Sequence, residues 1–243
     1  MTVHTVEVEI AGQKITLETG RMARLCAGAV LITQGDTLVL CTSVTGPGRP
    51  GIDFLPLTID YREKPYAAGK IPGGFFKREG RPTTKEIITM RLTDRSVRPL
   101  FPKGFRDEVQ CQCFVLSHDQ INDSDIMALN GASAALTISK IPFAGPVGCV
   151  RVGHVDGELV LNPTLLQLEE SAMDLVVAGT AEALTMVEGS ANELPEDVVL
   201  EALKIGHEAV QKICAAQVEL AGLVGTTKME PAPLPEDEDL KNE

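Results

Sequence analysis

Residues 81–99 read RPTTKEIITMRLTDRSVRP, and they decide how the rest of the chain is read. Thr83 and Glu86 have the spacing of a capping box, in which each side chain satisfies the other residue's free backbone N–H. A helix therefore starts here. It must end near Arg98, because Pro99 disfavours α geometry in the residue before it. On that helix Arg91, Arg95 and Arg98 stand at i, i+4 and i+7, so they project from one side about a turn apart. Three guanidiniums on one stripe repel one another unless an anion lies between them, and Asp94 can neutralise one at most. Arg also suits phosphate, which it grips with two parallel hydrogen bonds. A solvated face usually mixes signs at i, i+4, so phosphate binding is the favoured reading.

Outward from this helix, the surrounding window is basic. From Arg62 to Arg106 there are twelve Lys or Arg against four acids, a charge of +8. The whole chain carries −12, so the remainder carries −20. One basic segment on an acidic body is what a localised polyanion site looks like. Just before the helix stands Gly73-Gly74-Phe75-Phe76-Lys77-Arg78-Glu79-Gly80-Arg81. This reads as a flexible loop with aromatic stacking surfaces and phosphate contacts, suited to single strands of any sequence. The competing reading makes one or both phenylalanines core anchors of the loop.

On either side of that window the pattern is mixed strand and helix. Val3–Ile10 alternates, and Lys14–Glu18 continues after Gly12. Ala29–Ile32 and Thr37–Cys41 flank Gly35-Asp36 as a hairpin, Asp53–Tyr61 reads as a further strand, and Glu108–Ser117 as another. Asp125–Ser139 is predicted helical, with small residues that permit close packing and Asp125 as its N-cap. Ile141–Pro146 is the best internal boundary. After it come Val147–His154 and Glu158–Asn162 around Asp156-Gly157, then strands at Leu175–Ala178 and Leu184–Val187. A long helix opens at Pro195 and runs to about Leu223, with apolar positions 199, 203, 210, 213 and 220 on one stripe. From Met229 onward three prolines and six acids mark a linker or tail. No internal repeat is visible.

Length and composition limit the rest. A chain of 243 residues with 44% hydrophobic content can bury a real core. No apolar run approaches the ~18 residues that cross a bilayer, and Met1-Thr2-Val3-His4 does not open a signal peptide, so a cytoplasmic, membrane-free protein is expected. The six cysteines (26, 41, 111, 113, 149, 214) include no Cys-x-x-Cys pair and read as buried free thiols. His118–Asp125 holds three aspartates at even-numbered intervals (119, 123 and 125), a temptation toward a metal site. The capping reading of Asp125 is simpler, and no metal ligand is assigned in this chain.

Phe75–Pro82 followed by Arg91–Pro102 resembles the first-core motifs of the polynucleotide phosphorylase family. Supporting stretches are Glu18–Arg24, Ala67–Gly73, Asn130–Leu136 and Leu175–Gly179. The resemblance runs from about residue 5 to 224. It implies an α+β, RNase PH-like (ribosomal protein S5 domain 2-like) fold in two lobes: residues 1–142 with the basic loop and helix, 143–225 as the second lobe, and 226–243 as an acidic, Pro-rich tail. It further implies a homotrimeric ring whose channel admits single-stranded RNA, with Phe75, Phe76, Lys77, Arg78 and Arg81 gripping RNA and Arg91, Arg95 and Arg98 lining the catalytic site. Lys77 stands where the family often has Arg, and Ser96 where many members have Pro.

The reaction implied is phosphorolysis from the 3′ end of RNA, in mRNA turnover. It uses inorganic phosphate as co-substrate and Mg²⁺ or Mn²⁺, and releases nucleoside diphosphates. The family carries its metal carboxylates and its Ser-rich phosphate loop on a second RNase PH-like core, and neither is found in this sequence. The second core would act in cis or in trans, and other RNA-degradation proteins are possible partners. The alternatives are a non-catalytic RNA-binding or ring-assembly module of an exosome-like complex, and a stand-alone RNase PH exonuclease. The last is weakened because that enzyme carries its own metal carboxylates.

Overall fold

A computed structural model describes residues 2–75 and 77–231. Phe76 and residues 232–243 lie outside the described residues, and with them one expected RNA contact and most of the expected tail. Among the described residues, ten strands form two sheets and four α-helices pack on them.

The first sheet holds β1 (His4–Ile10), β2 (Gln13–Thr19), β3 (Gly28–Gln34), β4 (Thr37–Gly46), β5 (Leu57–Glu63) and β6 (Glu108–Ser117), in the order β1-β2-β3-β4-β6-β5. Neighbours are antiparallel except β5 and β6, which run parallel. A parallel pair needs a crossing connection, and α1 (Thr84–Val97) lies in it, together with the basic loop. β3 alternates buried and half-buried residues without a break and extends beyond the Ala29–Ile32 run expected from the sequence. β5 starts later than expected. Asp53 to Pro56 stay outside the ladder, with the Pro56 carbonyl accepting from the Val109 N–H.

The second sheet holds β7 (Gly148–Val155), β8 (Glu158–Leu161), β9 (Met173–Gly179) and β10 (Leu184–Ala191), in the order β10-β9-β7-β8. The short helix α3 (Leu165–Glu170) precedes β9 and was not foreseen; its capping box uses Thr164 and Gln167. The long helix α4 spans Glu196–Val224.

α2 (Ser124–Ile138) packs on β3 and β4 on one side and on β7 on the other. Close approach explains its small residues. A Cβ on Gly131 would lie 2.5 Å from the Cys41 sulfur, nearer than real Cβ atoms tolerate. Buried Asn130 clamps the second sheet to this helix, donating to the Cys149 carbonyl at 2.9 Å and accepting from the Cys149 N–H at 2.7 Å. The hydrophobic core accordingly runs from Val6, Leu17 and Ile32 of the first sheet through Ala132 of α2 to Val150 and Val177 of the second.

Two further sequence expectations need correction. The N-cap of α2 is Asp123, whose extended backbone and carboxylate precede the helix; Asp125 sits inside the first turn and is buried. In α4 the buried stripe is Ala202, Gly206, Ala209, Val210, Ile213, Cys214, Ala216, Gln217 and Leu220, while Val199 and Leu203 are only half-buried. Small residues form much of that face, which a search for large apolar positions passes over. All six cysteines are free; five are buried and Cys26 is half-buried.

Candidate nucleic-acid interface

The N-terminus of α1 is built as its sequence predicts. Thr83 Oγ1 accepts from the Glu86 N–H at 3.2 Å, and the Glu86 carboxylate accepts from the Thr83 N–H at 2.6 Å. Glu86 does more than cap. Its second oxygen accepts from the Glu63 N–H at 3.0 Å, tying the start of α1 to the end of β5. Burial alone would raise the Glu86 carboxyl pKa, but these N–H groups outweigh it and hold it below the ordinary value.

The three arginines of the helix stripe have different surroundings. Arg91 is exposed and pairs with no carboxylate among the described residues. Arg95 is also exposed, and its Nη1 donates to Glu188 Oε2 of β10 at 2.8 Å. Arg98 is half-buried and held on several sides. Nε and Nη2 donate to the two Asp94 oxygens at 2.8 and 2.6 Å, and Nη1 and Nη2 reach the carbonyls of Leu55 and Leu57 at 3.0 and 3.2 Å. Asp94 neutralises one arginine, as expected, and that one is Arg98. Its donors serve the fold although the side chain is 40% exposed, so two of the three stripe guanidiniums are free of such anchoring.

The loop before α1 is exposed at Phe75, Lys77, Arg78 and Arg81, with Lys77 in the left-handed region at φ 50°. It is moored by Lys64, whose ammonium reaches Glu79 at 2.6 Å and lies over the Phe114 ring, 5.7 Å from its centre. A cavity of about 170 Å³ opens beneath, lined by Arg62, Lys64, Arg78 and Arg81 together with Glu63 and Glu79. The aromatic at 75 is thus solvent-facing, which disfavours the core-anchor reading for that residue.

A larger cavity, about 470 Å³, lies between α1 and β10, with Lys85, Asp123, Asp125, Arg151, Asp174 and Glu188 in its wall. Arg151 is the centre of its charge. Its guanidinium meets Asp123 at 2.6 Å, Asp125 at 2.8 Å and Asp174 at 3.0 Å, the last without hydrogen-bond alignment. Lys85 adds a second cation, 2.9 Å from both Glu63 and Asp123. Burial and the neighbouring Asp123 push the Asp125 carboxyl up to about 6, against the pull of Arg151. Burial acts on Asp123 in the same sense, but Lys85 and Arg151 prevail and its pKa is lowered. Sequence reasoning missed this network. The available signal was a charged residue at 151 inside the apolar run of β7.

A divalent ion needs carboxylates open to it. Here three aspartates converge, yet on a guanidinium that the chain itself supplies, so this set does not fit a metal. Asp119, Asp123 and Asp125, grouped in the sequence, do not make a site either. Asp119 caps a turn, accepting from the N–H groups of Ile121 and Asn122 at 2.8 Å each. Among the described residues no group of three His, Cys, Asp or Glu is arranged to hold a metal ion, and no helix is long and apolar enough to cross a membrane.

Comparison with known proteins adds two findings. Residues 11–142 match the 3′ exoribonuclease family, domain 1, and residues 145–209 match domain 2 of the same family. The chain is 55% identical over 243 residues to a polyribonucleotide nucleotidyltransferase of Thermomicrobium roseum, covering 99% of this chain and 31% of that protein. It is 58% identical over 230 residues to a polyribonucleotide nucleotidyltransferase of Herpetosiphon aurantiacus, covering 94% and 30%. A third, from Gluconacetobacter diazotrophicus, is 58% identical over 216 residues, covering 88% and 30%. The chain therefore spans about a third of the length of the curated relatives it matches.

Proposed function

The chain belongs to the 3′ exoribonuclease family, with an α+β RNase PH-like fold, and from that premise we propose that it is the RNA-gripping core of a phosphorolytic 3′-to-5′ exoribonuclease. The observation that carries this reading is the exposed cationic surface of one connection. Lys77, Arg78 and Arg81 lead directly into α1, and Arg91 and Arg95 follow on its open side, roughly 10 and 16 Å along the helix from its first residue. The body behind them is acidic. A polyanion is drawn to the basic strip and repelled elsewhere, which orients it before any contact forms. Phe75, exposed in the same loop, offers a face on which a base of any identity can stack.

In the proposed reaction, an oxygen of inorganic phosphate attacks the phosphorus of the 3′-terminal phosphodiester. The bond to the penultimate ribose 3′-oxygen breaks, and that oxygen takes up a proton. The terminal residue leaves as a nucleoside diphosphate. This chain's share is to bind and orient. Arg91 and Arg95 hold backbone phosphates, and the loop keeps the strand in register. The Mg²⁺ or Mn²⁺ and the attacking phosphate belong to a second RNase PH-like core, in the same chain or another, assembled with this one in a homotrimer. We further infer a cytoplasmic role in mRNA turnover. Residues 1–142 and 143–225 act as two lobes of one core, and the continuity of the hydrophobic cluster across both sheets supports their sharing that core.

The experiment measures nucleoside diphosphate release from poly(A) with phosphate and Mg²⁺, alongside poly(A) binding, for the chain and for Arg91→Ala. The expected result is binding that weakens in the variant, with release only when a second core is added. Phosphate-dependent release by this chain alone would overturn the division of labour. Undiminished binding in Arg91→Ala would overturn the assigned RNA contact.

A further inference from the structure

We propose that Glu188 is an internal competitor for RNA: its carboxylate holds Arg95, and a backbone phosphate must displace it. This rests on the reading that Arg95 contacts RNA, and goes beyond it by assigning a role to a residue of the other sheet. Glu188 lies on β10, the edge strand of the second sheet, opposite Val176 of β9. It reaches across the mouth of the larger cavity to α1. Its bond to Arg95 is single, through Nη1 alone at 2.8 Å.

Both side chains are about half exposed, at 55% for Arg95 and 47% for Glu188. An ion pair of this kind in water is weak and screened by salt. A phosphate offering two oxygens to the guanidinium fork is the better ligand. The same α1 face supplies the contrast: Arg98 is fixed by four hydrogen bonds, and Arg91 has no carboxylate partner among the described residues. Of the three stripe arginines, Arg95 is the one that, among the described residues, holds a carboxylate by a single exposed contact.

Exchange has a consequence for salt dependence. A phosphate neutralised by a free cation releases about 0.7 of a counterion from single-stranded nucleic acid. When Arg95 leaves Glu188 for a phosphate, the freed carboxylate stays beside the RNA, and its salt-screened repulsion offsets that release. Removing the carboxylate restores it. Glu188→Gln should therefore bind RNA more tightly, by about two- to fivefold at moderate salt. Its salt dependence should steepen by roughly 0.7 in log–log slope.

The test is fluorescence anisotropy of labelled oligoadenylate against the 243-residue chain over a salt series. It compares wild type, Glu188→Gln, Arg95→Ala and the double variant, with circular dichroism to verify folding. Tighter binding by Glu188→Gln that disappears in the Arg95→Ala background supports the competitor. Equal tightening in both backgrounds means that Glu188 acts as a general repulsive charge, and the proposal falls. It falls also if Glu188→Gln binds equally or more weakly while Arg95→Ala still impairs binding. If Arg95→Ala leaves affinity unchanged, the failure lies instead in the assignment of Arg95 to RNA.

Discussion

Ser133 on α2 donates its hydroxyl hydrogen to Gln217 Oε1 on α4 at 2.8 Å, and both residues are completely buried. The pair closes a polar triangle with Val147, whose N–H donates to Ser133 Oγ and whose carbonyl accepts from Gln217 Nε2, each at 2.8 Å. Every group in the triangle has its partner inside an apolar core.

Gln217→Leu fills the space but leaves the Val147 carbonyl without its donor. The expected loss is about 1–3 kcal/mol. Urea unfolding checks it: the midpoint should fall while the slope of the transition stays unchanged.

Arg98→Ala and Arg91→Ala should separate stability from RNA binding. The first strands Asp94 and two carbonyls and is expected to reduce stability by about 1–3 kcal/mol, with the salt dependence of poly(A) binding intact. The second removes an exposed cation, and should leave the melting temperature unchanged while lowering the salt slope by about 0.7. Thermal melts and a salt titration on the same two preparations decide the matter.

Arg151→Met removes the cation that three aspartates share. Breaking a buried ion pair from one side costs about 3–5 kcal/mol near neutral pH. The deficit should shrink as pH falls, because the stranded carboxyls can then take up protons. Melting curves of wild type and variant from pH 7.5 down to 5 should converge; a constant gap would show that Arg151 matters through packing instead.

Asp119 gives a pH dependence of definite sign. Burial tends to raise its carboxyl, but the N–H groups of Asn122 and Ile121, with the side chains of Asn122 and Thr37, outweigh it and hold it at about 2, below the ordinary 3.8. A depressed carboxyl contributes stability that is present above 3.8 and lost as pH falls toward 2. Asp119→Asn should flatten the stability curve in that window, as read by urea midpoints between pH 4.5 and 3.

The sequence made some of this plain and concealed the rest for physical reasons. Thr83 and Glu86 announced α1 because a capping box is a local device, complete within four residues. The strands at Ala29–Ile32 and Thr37–Cys41 were legible because Gly35-Asp36 marks a turn between two apolar runs. The start of α2 was harder. Asn122-Asp123-Ser124-Asp125 supplies four residues able to cap, and the extended backbone at Asp123 makes the choice. The distant partners of Arg95, Arg98 and Arg151 were invisible, since Glu188, the Leu55 carbonyl and Asp174 are set beside them only by tertiary packing. For the same reason a stripe of three like charges on a helical wheel resolved into one open, one paired and one fixed arginine.

The parallel pairing of β5 with β6 has an implication for how such a protein can change. Of the twelve cations between Arg62 and Arg106, all but Arg62 are carried in the connection between those two strands, which joins Glu63 to Glu108. Sheet order is fixed by pairings outside that passage. Mutation can therefore lengthen, shorten or recharge the passage while the strands keep their neighbours. The connection behaves as an interchangeable cartridge in a permanent housing, and descent from a common ancestor is free to refit its grip on polyanions without rebuilding the frame.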